Sequence, residues 1–520
     1  MSPAEDSRAE GFRNPILPPY TLGQHRGDGR SLRRTLYSAL VFVCLVYGGL
    51  WALLTPSLMV ALLVPIGIMG LIVVWALPET RTAPVQSLSW LLFTFIACLV
   101  LWPNYVALSL PGLPWITMVR LTGVPLAFVL LICVSSSSRF RAELAECLRS
   151  TPYIWKLLVA FVVIQTVSIA FSNNIPQSLD KFAIAQMSWT SIFFASAYVF
   201  LQPGRVERMS RLLWVMAIIV GLVAVAEFRA ERVLWSGHIP SFFQITDANV
   251  ARLLAGNNRF GRYRTISTFG TPLGLGEYMA LTMPFLLHYT VGSYSWSTRL
   301  AALASAVFAM AVAILSGVRV GTIGCLVSIM LSIAAWSLFK WRRDRESLLA
   351  PATSLSLPVL VAVVAVAVTY VGRVRHLLWG SGSEAFSTES RIEQLTSGLP
   401  KILSHPWGYG IGMGAESLNF SPFGFLTIDN YYLDVALEYG VLGFVVYYSM
   451  FLISIFYGLR TLLRFRRLDR ELEMLTPITI ALTTFFVIKS SFSQQDNHPL
   501  VFMMLGMVAA LVHRASRGEA

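Results

Sequence analysis

Between Thr35 and Val512 the chain consists of long, nearly uncharged apolar runs, separated mostly by short clusters rich in arginine. A helix needs about 20 apolar residues to cross the hydrocarbon core of a bilayer, and these runs are of that length. Composition points the same way. Of 520 residues, 55% are apolar and 13% charged, whereas a soluble domain carries about 25% charged residues. A cytosolic enzyme, a disordered tail and a disulfide scaffold are therefore excluded. A transmembrane barrel is excluded because its strands alternate apolar and polar residues, and these runs are continuous. The net charge of +13 does not indicate nucleic acid. The basic residues sit between apolar runs, as topology signals do. The 5 cysteines form no CxxC pair, so neither a disulfide framework nor a zinc site is expected. The polar first 34 residues do not read as a cleavable signal peptide.

The expected fold is an all-α polytopic membrane protein with about 14 transmembrane helices. Residues 1–34 form a tail, and residues 35–228 the first set of spans, beginning with Thr35–Thr55 and Leu58–Leu77. Residues 229–271 form a long loop, 272–371 a second set of spans, and 372–431 a larger loop. Residues 432–512 form the last spans and 513–520 a second tail. Most lysines and arginines fall in one alternating set of loops, as in Lys340-Trp-Arg-Arg-Asp-Arg345, which puts both termini in the cytoplasm and both long loops outside. In the second long loop Ile392, Leu395, Leu399 and Ile402 recur at helical spacing. They predict an amphipathic helix that lies on the membrane surface, caps a cavity, or packs on the bundle.

Arginines in the outward set are not topology signals and call for another explanation. Arg259, Arg262 and Arg264 precede a glycine-rich entrance to a span, Arg319 sits in a tight outer turn, Arg391 begins the amphipathic helix, and Arg120 lies just inside a span. Guanidinium groups fork onto phosphate oxygens, so several converging at the outer surface suit a lipid pyrophosphate. Taken singly, each is equally an interfacial or ion-paired arginine, with Asp247 or Glu389 as partners. Glu277, one turn into its span, is expected to pair with an arginine or act as a base. Asp434 and Glu438 share a helix face near Asp429, which is either an N-cap or a group that holds or deprotonates an acceptor hydroxyl. His405, Asp496 and His498 are further candidates. The alternating glycines of Pro406-Trp-Gly-Tyr-Gly-Ile-Gly-Met-Gly414 follow no strand, so they predict a tight surface loop, with backbone amides available to phosphate, and not a dinucleotide site. Neither metal-ligand spacing nor a nucleotide loop appears, so no cofactor is expected.

Four motifs in order resemble the O-antigen ligase and polymerase superfamily. They are Arg264-Thr-Ile-Ser-Thr-Phe-Gly-Thr-Pro-Leu-Gly-Leu-Gly-Glu-Tyr278, Leu315-Ser-Gly-Val-Arg-Val-Gly321, the stretch from Ser387-Thr-Glu-Ser-Arg-Ile392 through Ser404-His-Pro-Trp-Gly-Tyr-Gly-Ile-Gly412, and Asp429-Asn-Tyr-Tyr-Leu433 with Glu438-Tyr-Gly-Val-Leu-Gly443. The resemblance covers about Arg259–Tyr448. It implies a GT-C-like helical bundle in the bacterial inner membrane. It also implies glycosyl transfer from an undecaprenyl-pyrophosphate-linked oligosaccharide on the periplasmic face, without metal or nucleotide. Arg264, Arg319 and Arg391 would bind the donor diphosphate. Ligases of this family typically show His-Asn where this chain has Asp429-Asn430, so the resemblance favours a polymerase acting on a lipid-linked acceptor. A ligase acting on lipid A core is the alternative within the family. A polysaccharide transporter, or flippase, is the alternative outside it. Chain-length and export proteins are the expected partners, beside the bilayer itself.

Overall fold

The computed structural model describes residues 67–518, except 68, 75–76, 81, 110–114, 246–249, 252–253, 255–257, 260–261, 344, 347, 371–384, 422–425, 466–468 and 490–494. The helical bundle is built by the unit Gly70–Ala520. The expected span Thr35–Thr55 and most of Leu58–Leu77 lie outside the described residues.

The helices, in chain order, are α1 Val85–Leu101, α2 Met118–Ser136, α3 Ser138–Ser150, α4 Pro152–Ser168, α5 Ile175–Ala185, α6 Ser191–Val199 and α7 Arg205–Ala230. They continue with α8 Pro272–Val291, α9 Trp296–Leu315, α10 Arg319–Arg343, α11 Leu349–Tyr370, α12 Ala385–Ser404, α13 Gly414–Leu418, α14 Tyr431–Arg464, α15 Leu475–Ile488 and α16 His498–Ser516. Among the described residues, 8 helical segments are long and apolar enough to cross a membrane. One of them, Ile175–Val199, joins α5 to α6 through a wide turn at Gln186–Thr190. Local chemistry sets the helix starts. Thr117, Ser137, Asn174, Thr271, Ser295 and Asn430 each accept a backbone N–H of the first turn, satisfying donors that have no partner within the helix. Prolines stand in the first turn of α4, α5, α8 and α16, where the missing N–H costs nothing.

Packing follows the logic of a membrane bundle. In α9 the small residues Ala302, Ala306, Ala309 and Ala313 face inward, while Leu300, Leu303, Val307 and Ile314 are exposed. In water that arrangement is inside out; in lipid it is favourable, because small residues let helix backbones approach. The C-terminal helix α16 runs through the centre, with 94% of its apolar window buried. It packs on α6, α14 and α15.

Two small sheets stand beside the helices. Strand β1 (Val106–Leu108) pairs antiparallel with β2 (Ile116–Thr117) and with β3 (Phe243–Ile245), with Val106 opposite Ile245. This small sheet ties the segment after α1 to the loop after α7. A second pair, β4 (Asn258–Arg259) and β5 (Arg262–Tyr263), sets Arg259 opposite Arg262. The expected span Leu88–Leu108 is shorter than predicted, because helix α1 ends at Leu101, just before Pro103.

Candidate functional site

The entrance segment between β5 and α8 is pinned by a carboxylate from α7. Glu227, buried in the last turns of α7, accepts hydrogen bonds from Tyr263 Oη (2.8 Å), Ile266 N (3.0 Å) and Ser267 N (2.6 Å). Ser267 holds a left-handed backbone (φ 54°) and donates its hydroxyl to Val220 O at 2.9 Å. Burial, and then the Glu227 charge, push the Tyr263 phenol well above its ordinary value. The pinned segment presents Arg264 to the turn between α9 and α10. Thr265 N reaches Leu315 O at 3.5 Å and Arg264 Nε reaches Ser316 O at 3.4 Å. A Cβ on Gly317 would stand 3.0 Å from Arg264 Cγ. Arg319, which opens α10, is on this same turn. Two of the arginine-bearing stretches therefore meet.

Directly below, α8 and α10 touch through glycines. A Cβ on Gly321 would lie 2.7 Å from Gly276 Cα, and one on Gly276 would lie 3.1 Å from Gly321 Cα. Only glycine permits backbones that close. The next residue, Glu277, is fully buried. It pairs with Lys489 Nζ at 3.1 Å and accepts from Asn497 Nδ2 at 3.0 Å, and Asn497 also donates to Gly274 O at 2.9 Å. The expected arginine partner is thus a lysine from the end of α15. Lys489 Nζ lies 5.3 Å from the ring centres of both Tyr431 and Phe485. The fully buried ring of His498, at the start of α16, contacts Trp189, Tyr431 and Phe485.

Tyr431 begins α14, and the buried carboxylates Asp434 and Glu438 follow on that helix. Asp434 lies in the electrostatic field of Glu438, Lys181 and Lys489. The glycine run docks here. Tyr409 N donates to Leu437 O (2.8 Å) and Gly410 N to Glu438 O (3.0 Å), and Val441 N donates to Pro406 O (3.1 Å). The amides of Gly412 and Gly414 serve the Glu438 carboxylate. These amides are therefore spent on α14, and the expectation that they cradle phosphate is corrected. The docking needs Gly440, whose φ of 70° breaks the α14 helix at a point where a Cβ would collide with Pro406 O.

The expected amphipathic helix is α12. Ser390, Gln394, Gly398 and Ile402 are buried, while Ile392, Leu395, Leu399 and Leu403 are exposed. Its inner face packs on Leu418 and Leu433. Gln394 Oε1 accepts the backbone N–H of Asp429 at 2.9 Å. Half-buried Arg391 stands one turn earlier on this helix. Asn430, not Asp429, caps α14, accepting from Tyr432 N at 2.9 Å and Leu433 N at 3.4 Å.

The remaining candidates lie elsewhere or are otherwise engaged. Arg120 makes a two-pronged bond to Asp180, 3.0 Å to each oxygen, so the ion-paired reading applies to it, with Asp180 in place of Asp247 or Glu389. His405 is exposed, with Nδ1 2.8 Å from Tyr409 Oη and 3.1 Å from Ser404 Oγ. Arg259 and Arg262 are placed by backbone only; their side chains lie outside the described residues. Sequence reasoning missed Glu227, Lys489 and Gln394. For Lys489 the signal was present: it is an isolated charge at the end of an apolar run, which in a membrane protein marks a paired or functional group.

Residues 304–448, from α9 into α14, match the family model described as O-antigen ligase. That stretch includes Arg319, Arg391, His405 and Asp429, while Arg264, Glu277 and Lys489 fall outside it. No curated protein matches the chain.

Proposed function

We propose that this chain, whose residues 304–448 support membership of the O-antigen ligase and polymerase superfamily, is a polysaccharide polymerase of the bacterial inner membrane. It transfers a glycan from an undecaprenyl-pyrophosphate carrier to a lipid-linked repeat unit at the periplasmic face. The observation that carries this reading is the meeting of Arg264 with the turn that bears Arg319. Both come from separate stretches of chain. Both offer permanent positive charge to a diphosphate, and the resemblance adds Arg391 from α12.

The chemistry needs little more than charge and position. The acceptor hydroxyl oxygen attacks the anomeric carbon, the carbon–oxygen bond to the diphosphate breaks, and its electron pair leaves on the carrier. The arginines stabilise that leaving group, and such preorganised charge is usually the largest single contribution to catalysis. Asp429, not used as a helix cap, takes the hydroxyl proton. Glu277 and Lys489, paired in the interior, hold α8 against α15 and so keep the arginine stretches in place. His405, bonded to Tyr409, lies on the rim.

Purified protein in liposomes, given lipid-linked repeat units, is expected to lengthen them into a ladder. Arg264→Ala and Arg319→Ala are expected to abolish the ladder with the fold intact. Unchanged extension in both would remove the donor assignment. The family description favours a second reading, a ligase. Polymer handed to a lipid A core acceptor, with no lengthening of repeat units, would select it.

A further inference from the structure

Gln394 is fully buried on the inner face of α12, opposite the segment that leads into α14. Its side-chain assignment is fixed by chemistry. The Asp429 backbone N–H needs an acceptor, so the atom 2.9 Å from it is Oε1, and the amide nitrogen points the other way. That nitrogen, Nε2, is buried and has no hydrogen-bond partner among the described residues. A buried amide donor left unsatisfied is destabilising. The Asp429 N–H requires an acceptor at this position, but nothing in the packing of α12 uses the donor beside it. Ser390, Gly398 and Ile402, on the same face, are small or apolar.

We propose that Gln394 is a positioning residue for the acceptor sugar. Its carbonyl oxygen holds the Asp429 backbone, and its Nε2 donates to a hydroxyl of the incoming sugar. This rests on the polymerase reading, in which Asp429 receives the acceptor proton. One side chain then sets both the proton acceptor and the group that loses the proton. The amide is covered in this structure, so the sugar reaches it only as α12 gives way, and binding satisfies a donor that the closed protein leaves unmet.

The test uses full-length protein in liposomes, with donor and acceptor concentrations varied separately. Gln394→Glu keeps an oxygen for the Asp429 N–H and, assayed at a pH high enough to ionise its carboxyl, removes the donor. It is expected to raise KM for the acceptor about tenfold, the worth of one lost hydrogen bond, while donor KM and kcat stay within about twofold of wild type. Gln394→Met removes both bonds and is expected to lower kcat as well, because Asp429 is no longer held. A purely structural glutamine predicts the opposite for Gln394→Glu: lower thermal stability with unchanged acceptor KM, and that result overturns the proposal. A rise in donor KM alone also overturns it. If wild-type protein transfers no glycan, the polymerase reading falls and this inference with it. If wild type is active and Gln394→Glu equals it, only this inference falls.

Discussion

The Glu227 carboxylate and the Ser267 backbone N–H meet at 2.6 Å, across 40 residues of chain. Ser267 sits in a left-handed conformation that a serine adopts only when its surroundings hold it there. Glu227 also takes Ile266 N and Tyr263 Oη. The position of Arg264 is therefore determined from α7.

Glu227→Ala leaves three donors without their acceptor, at about 1–3 kcal/mol for each that stays buried. We expect a clear fall in melting temperature. Glycan transfer should drop even under conditions where the variant is fully folded, because Arg264 loses its bearing. Chain-extension assays run well below the transition temperature separate the two effects.

Glu277 and Lys489 form a fully buried pair. Removing one partner strands a charge, at about 3–5 kcal/mol, whereas removing both is often nearly neutral. Glu277→Gln and Lys489→Met are each expected to destabilise strongly, and the double variant to recover much of the loss. Thermal unfolding of the four proteins gives the coupling directly. A double variant that merely adds the single losses would show that the pair does not interact as the geometry implies.

Gly321→Ala puts a methyl group 2.7 Å from Gly276 Cα. Backbone cannot yield as a side chain does, so α8 and α10 must separate, at about 1–3 kcal/mol by analogy with overpacked cores. Arg319 is two residues away on the same helix. We expect a loss of transfer activity larger than the loss of stability, measured on the same preparation.

At the opposite end of the bundle, Glu471 bonds Gly204 N (2.7 Å), Val206 N (2.9 Å) and Arg514 (2.9 Å), capping α7 from a distant loop. Glu471→Ala is expected to lower the melting temperature while leaving the kinetics of the folded fraction as in wild type. Changed kinetics would show that the two ends of α7 are coupled.

Much of this architecture is readable in the residues. The apolar runs mark the helices because lipid demands such lengths of uncharged chain, and the four motifs locate Arg264, Arg319, Arg391 and Asp429. The arrangement of the runs is not readable. α16 is central and α9 peripheral, yet both are apolar on all sides, since lipid and protein interior are equally dry. The spacing of Ile392, Leu395 and Leu399 marked a helix but left open which way its apolar side looks; the structure leaves those three exposed. Glu227 escaped notice because its partners are mostly backbone groups, which carry no side-chain signature. The pairing of Val106 with Ile245 joins strands too short to announce themselves.

The break at Gly440 has a mechanical meaning. Before it, the first turns of α14 carry Asp434 and Glu438 and are tied to residues 409–414; just after it, Val441 N is tied to Pro406 O, and the rest of the helix is embedded among its neighbours. What looks like a single rod is two helices meeting at a break that one loop clamps from both sides, so the two carboxylates keep their place only while that loop keeps its own.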